Sequence, residues 1–472
     1  MSEAVAAPRP RPLAVLEEWL SDIRAHVTRL PFAPLIPPVL IFLVTMGGYR
    51  IAQTDVTFYQ HHVYLAEALL NGSLDVKAAG IPDWYQDVVS VDDSRGVLQW
   101  NETCVENDPS CKKYLPYGPA PAILLMPGVA IEGTSFSEID FALFLGAVNV
   151  VLFWYLLGEL KIGAFSRWLG VIFFAFGNVH FYSATEGTLW FYNHVSAVFF
   201  LQLAIITFLK RLPLPLSAFL LGMAWLSRAP TLVAMPFFLY GILARWDPEF
   251  SLTSLVDLEF YKRFIRSPAL KNGVIYGLGL LPVVLFYFWY NQVRFDSLTD
   301  TGFQTVYESY TNGGSPGGLP YSFYRVDHPD AGHFPLFSLK NIPLHIYTFF
   351  FMPPDYHPDL SIVQPSKYGL SIFLTSPAFI YAFFVTRKTW LKPACWIAIA
   401  LVTVPLFMHY SQGWVQYGYR FMLDYMPFLA ILTVMGFDDH QSRKARAVQI
   451  ALIAISIASG AWGRYWANEG GW

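Results

Sequence analysis

The stretch FALFLGAVNVVLFWYLL, Phe141 to Leu157, carries no charged residue and runs on into Glu159, Lys161 and Arg167. A helix needs about 20 mostly apolar residues to cross a bilayer, and basic residues in short flanking loops mark the cytosolic side. The stretch therefore reads as a membrane span returning inward. Reading outward from it gives about eleven transmembrane helices. Before it comes Pro31 to Tyr49, preceded by arginines and so running outward. After it come Trp168 to Phe181, then a span ending at Lys210-Arg211. Two short apolar runs, Leu214 to Leu226 and Thr231 to Leu243, meet at the break Ser227-Arg228-Ala229-Pro230. Gly273 to Tyr290, Tyr368 to Val385, Pro393 to Tyr410, a span closing before Arg443, and Ala447 to Trp462 complete the set.

Composition agrees. Hydrophobic residues make up 54% and charged residues 14% of the 472, against roughly 25% charged in soluble chains, and mean hydropathy is +0.39. The expected fold class is an all-α polytopic membrane protein. A net charge of -3 gives no basic field for nucleic acid, so the expected partners are membrane lipids and lipid-linked molecules. Residues 1–30 have no short apolar region with a small-residue cleavage site and read as a cytosolic tail. Residues 31–463 form the membrane module, with hydrophilic loops at 51–136 and 291–367 on the outer face, and 464–472 form an outer tail. Cys104 and Cys111, close together in the first outer loop, suit a disulfide if that compartment is oxidising. Non-helical backbone at membrane depth is tolerated where it lines a watery cavity, so Arg228 at its break should face one.

Several residues carry chemistry in this pattern. Asp55 stands at the mouth of the first span, where a carboxylate suits a catalytic base better than a structural role. Arg228 and Arg420 can each grip a phosphate bidentately and stay charged in apolar surroundings; the alternative is snorkelling at the interface. His194 can donate a hydrogen bond to phosphate. His61, His62, Trp190, Tyr192, Arg294 and Trp414 are candidates for sugar or acceptor contacts, with an aromatic belt as the alternative for the rings. Adjacent histidines on a helix point to different faces, so His61 and His62 make a poor metal pair with Asp55 or Glu67. No metal and no other cofactor is expected.

Further signals are Val63 to Asp75, Pro116-Tyr117-Gly118-Pro119-Ala120-Pro121, Gly187 to His194, Leu226 to Thr231, Tyr290 to Ser297 and Gly418-Tyr419-Arg420-Phe421-Met422-Leu423-Asp424. Together with Asp55 and the topology, these resemble the GT-C glycosyltransferases that use polyprenyl-phosphate sugars, in particular the family 39-like bacterial membrane enzymes. The resemblance covers about Asp55 to Pro427. It implies a GT-C-type helical bundle in the inner or plasma membrane. The implied activity is inverting hexosyl or pentosyl transfer from a polyprenyl-phosphate carrier to a lipid, glycan or protein acceptor, with a first-loop carboxylate as base. Many relatives carry two adjacent acids there, whereas Asp55 lies between Thr54 and Val56, so Asp75 and the Asp92-Asp93 pair stay as competitors. Two other readings remain: a lipid-linked sugar flippase or transporter, and a polysaccharide ligase or polymerase using a lipid diphosphate donor.

Overall fold

The structure is a computed structural model that describes residues 33–53, 59–85, 87–92, 96–97, 110–303, 335–357, 362–413 and 415–469. The expected tail at 1–30, Asp55, Asp93, Cys104 and Trp414 lie outside the described residues. Helix α1, Ile36–Ala52, starts on two prolines in its first turn, where the missing N–H costs nothing. Helix α2, His61–Leu70, and the strands β1 (Val89–Asp92), β2 (Gly96–Val97) and β3 (Cys111–Tyr114) follow in the first hydrophilic segment, with strand order β2-β1-β3. Cys111 is disulfide-bonded and Cys395 is free. Helix α3, Ala120–Glu132, follows with a proline inside it, Pro127.

Helix α4, Glu138–Glu159, contains the decisive stretch. Ser137 caps it by accepting from the Asp140 amide at 3.1 Å, and Glu138 and Asp140 sit in the positive first turn. The span expected from Trp168 to Phe181 is instead two helices, α5 (Ala164–Phe176) and α6 (Val179–Glu186). Asn178 makes the joint, its Nδ2 donating to the Phe173 and Phe174 carbonyls while its Oδ1 accepts from the His180 amide at 2.8 Å. Gly187 then ends α6 at φ +66°, a left-handed conformation that glycine adopts without side-chain strain.

Helix α7, Leu189–Leu209, is the axis of the bundle: 83% of its most apolar window is buried, against 22% for α11 and α16. It packs against α4 and α8 (Leu214–Trp225). Helix α9, Met235–Trp246, follows a 3₁₀ turn, Ala229–Ala234. Helix α10, Leu258–Ile265, carries Lys262 and Arg263 in its last turn. Helix α11, Pro268–Phe295, exposes Leu278, Leu281, Leu285 and Trp289, the surface a lipid-facing helix presents. Helix α12 is Ile342–Ile346, β4 (Asp355–His357) pairs with β5 (Ile362–Gln364), and α13 is Ile372–Thr375.

The run Tyr368 to Val385, expected as one span, is α13 followed by a 3₁₀ stretch, Pro377–Phe384. Ser376, at φ -150° and ψ 60°, precedes Pro377, whose ring disfavours helical backbone at the residue before it. Arg387 then ties this stretch to Asp438 at 2.7 Å and Asp439 at 2.5 Å. Helices α14 (Leu391–Met408), α15 (Met426–Asp439) and α16 (Arg443–Glu469) complete the chain, α16 running on into the region expected as a tail. Among the described residues, six helices are long and apolar enough to cross a membrane, and three more are shorter and apolar. The fold is that of a multi-pass helical membrane protein, with short strands confined to the hydrophilic segments.

One close approach sets the site. Gly118 lies against the Leu226 carbonyl so closely that a Cβ there would overlap it. Both partners are backbone, so neither can swing aside. Gly118→Ala is expected to cost about 1–3 kcal/mol by overpacking, read as a lowered thermal unfolding midpoint in detergent; an unchanged midpoint would show that this contact yields freely.

Candidate functional site

A cavity of about 970 Å³ opens where the hydrophilic segments meet α7, α8, α11 and α14. Three breaks in helical backbone and the start of one helix supply its polar wall. Glu186 and Thr188 stand at the α6–α7 junction, with Trp190, Asn193 and His194 in the first two turns of α7; the α8 break presents Ser227 and Arg228; the turn before α15 presents Arg420 and Phe421. Such breaks leave backbone groups and side chains free to face a chamber, which a continuous apolar helix does not.

The cationic part is organised by Asp424, which is wholly buried in the 3₁₀ turn Arg420–Asp424. Its Oδ1 bonds His194 Nδ1 at 2.8 Å. Arg228 donates to the same carboxylate from Nε at 3.2 and 3.3 Å and from Nη2 at 3.1 Å. Its Nη1 has no hydrogen-bond partner among the described residues. His194 Nε2 is likewise buried with no partner. One carboxylate thus orients a guanidinium and an imidazole, each with a nitrogen left over for a ligand. Arg420 stacks beside them, its guanidinium carbon 4.8 Å from the Phe191 ring and 5.6 Å from that of Phe421.

Asp87 stands on the aromatic part of the wall. Its Oδ2 accepts from Trp190 Nε1 at 2.5 Å and from the Tyr117 hydroxyl at 3.0 Å. Burial raises its pKa above the ordinary carboxylate value, and the bonds from Trp190 and Tyr117 and the charge of Arg420 offset that only in part. Tyr59 and Tyr117 also line this side.

The sequence candidates divide. Arg228, Arg420, His194 and Trp190 converge on the cavity. Arg294 lines it too, but its donors are committed to the Leu115 carbonyl, to Tyr290 O at 3.0 Å and to Asn291 Oδ1 at 2.9 Å. It therefore holds the Leu115–Gly118 turn in place. His62 sits behind the wall, bonded to Asn193 Oδ1 at 2.8 Å, and His61 is buried against Tyr59 and Tyr85. Tyr192 is buried with its hydroxyl on the Pro121 carbonyl at 3.0 Å. None of these three lines the cavity. Of the competing carboxylates, Asp75 accepts from the amides of Lys77 and Lys113, both at 2.9 Å, and Asp92 is buried in β1. Asp424 and Asp87 were not singled out from sequence; Asp424 ends the Gly418 to Asp424 motif, while nothing local marks Asp87.

The exit from α1 is also pinned beside the cavity. Arg464 of α16 donates to the Ala52 carbonyl at 3.1 Å and to Glu186 Oε2 at 2.7 Å, and Asn468 donates to the same carbonyl at 3.0 Å. No group of three His, Cys, Asp or Glu side chains suited to a metal occurs among the described residues.

Fold and site together define a multi-pass membrane protein with an aromatic-walled chamber in which a buried carboxylate holds one guanidinium and one imidazole. No family model matches the sequence, and no curated protein does. Among solved structures, the chain is similar to the apo form of the Archaeoglobus fulgidus oligosaccharyltransferase, with a TM-score of 0.46 and 11% identity over 92% of this chain. The match spans 56% of that chain's length.

Proposed function

We propose that the protein transfers a sugar, with inversion, from a polyprenyl-phosphate carrier to a lipid, glycan or protein acceptor at the outer face of the inner or plasma membrane. The observation that carries this reading is the Arg228–Asp424–His194 cluster beside Arg420 in a chamber walled by aromatic rings. A sugar phosphodiester carries one negative charge, and its departing phosphate monoester carries up to two. Two arginines, of which only Arg228 is paired with the Asp424 carboxylate, suit an anion whose charge grows as the bond breaks. Rings such as Trp190 and Tyr59 give a sugar flat apolar faces to stack on, and Trp225 and Tyr287 line the cavity where the bundle is apolar. A carboxylate of the first hydrophilic segment takes the acceptor's proton; the partners are membrane lipids, the lipid-linked donor and the acceptor.

The test uses membranes of a strain deleted for the gene and carrying the full-length protein. They are supplied with radiolabelled sugars on polyprenyl phosphate, on polyprenyl diphosphate or on a nucleotide. Transfer to an endogenous acceptor from the monophosphate donors alone is expected. Arg228→Ala should raise the donor KM by about 10-fold or more, as expected for losing a charged hydrogen bond. Preferential use of the diphosphate would favour a ligase or polymerase, and movement of intact donor across the bilayer without transfer would favour a flippase.

A further inference from the structure

We propose that Asp87 is the chamber's base, the group that receives the proton of the attacking acceptor hydroxyl. This rests on the sugar-transfer reading above. Three observations of different kinds point to it.

The first is placement. Among the described carboxylates between α1 and α3, Asp87 is the one that lines the cavity. Glu67 is engaged with Asn71, Asp75 with two backbone amides, and Asp83 with Lys113. Elsewhere on the wall, Glu186 is ion-paired with Arg464, and Asp300 accepts from the Gly302 amide.

The second is how the carboxylate is held. Tyr117 and Trp190 both donate to Oδ2, which fixes the plane of the group, while Oδ1 has no hydrogen-bond partner among the described residues. The residue sits at φ +57°, a left-handed conformation that an aspartate adopts only at a cost and that concentrates at functional positions. Two donors on Oδ2 thus leave the second oxygen of a cavity-lining carboxylate for a ligand.

The third is the electrostatic setting. Arg420 is near enough to act on Asp87 through its charge, so base and phosphate-binding cation face one substrate volume. Burial makes the carboxylate a stronger base than an exposed aspartate, closer to the pH at which it works.

In the step itself, the acceptor oxygen bonds to the anomeric carbon as the bond from that carbon to the phosphate oxygen breaks. The electron pair leaves with the phosphate, against Arg228 and Arg420. The acceptor's proton passes to Asp87 Oδ1 and from there to water. Tyr117 and Trp190 are positioning residues: their bonds favour the ionised form.

Asp87→Asn, Asp55→Asn and Tyr117→Phe are compared with the wild type in the membrane assay, with radiolabelled polyprenyl-phosphate hexoses and pentoses and a pH series. Asp87→Asn is expected to lower kcat by about 100-fold or more, with donor KM within about twofold. The base must be ionised, so activity rises with pH through the Asp87 pKa. Tyr117→Phe removes a bond that lowers that pKa, so the acidic limb of its pH profile should move to higher pH, whereas a merely structural loss would lower activity at every pH with the limb unmoved. An Asp87→Asn enzyme keeping most of its kcat while Asp55→Asn loses it would overturn the assignment and leave sugar transfer standing. So would an unmoved limb in Tyr117→Phe. A wild-type protein that transfers no sugar from any of these donors would remove the reading beneath it as well.

Discussion

Asp424→Ala is expected to abolish transfer and to destabilise the protein by about 3–5 kcal/mol, the range seen when one member of a buried ion pair is removed. The carboxylate is wholly buried and joins residues 196 and 230 positions away, Arg228 and His194. Without it, a guanidinium that is only 20% exposed keeps its charge with no counter-ion, and an imidazole with one orphaned nitrogen acquires a second. Stability and function can be separated. Asp424→Ala combined with Arg228→Gln removes the unpaired charge along with its partner, so the double variant should unfold later than Asp424→Ala alone, the non-additivity expected of residues in contact. Turnover should not return, because the phosphate ligand is gone as well. Thermal unfolding and initial-rate assays on the same membranes check both halves. If the double variant were as unstable as the sum of the singles, Asp424 would be packing the turn rather than balancing charge.

That cluster shows which part of the molecule is legible in a linear sequence. Apolar runs bounded by basic residues give the spans, because the bilayer imposes one length and one polarity on each; α4, α7, α11, α14 and α16 fall close to expectation. The break at Ser227–Pro230 is legible for the same reason, since a charge and a helix-breaking ring together interrupt an otherwise apolar run. Tyr368 to Val385 is as apolar as its neighbours, and only the local backbone at Ser376-Pro377 divides it. At the site, Arg228 and Arg420 in breaks and His194 near the start of α7 could be nominated one at a time from the ligand chemistry each can perform. Their convergence could not, because no local pattern encodes a contact across 196 residues. Asp424 reads as the end of a hydrophobic motif until the fold puts Arg228 and His194 against it. Asp87 sits among aromatic and polar residues with no periodicity, and its role depends on Trp190, 103 positions on. His61 and His62 fail in the opposite sense: their chemistry suits a site, but α2 is buried and turns them into the protein, where Asn193 and packed rings surround them.

Arg420→Lys is the substitution in which charge and shape come apart. Lysine preserves the positive charge but not the planar fork, nor the stacking against Phe191 and Phe421 that holds it flat. If the chamber needs only a positive potential, the variant should work nearly normally. If it needs two parallel donors on one phosphate, the loss should approach that of Arg420→Ala. The second outcome is expected. Charge-assisted hydrogen bonds contribute about 1.5–3 kcal/mol each, so one lost bond corresponds to a fall of about 10- to 100-fold in kcat/KM for the donor. The division between kcat and KM then says when the bond is used. A cation that meets the bound donor equally before and during bond cleavage affects KM alone. One that meets the additional charge of the departing phosphate lowers kcat too. Arg228 gives Nε and Nη2 to Asp424 before any ligand arrives, so its charge is partly neutralised at the outset. Arg420 acts through its charge on Asp87 as well, so its removal reaches the base along with the departing phosphate. Arg420→Ala should therefore depress kcat more than Arg228→Ala does, and Arg228→Ala should act mainly on KM. A raised KM with unchanged kcat in both variants would mean that the chamber holds the phosphate the same way before and during bond cleavage, and would assign the rate enhancement to the base alone.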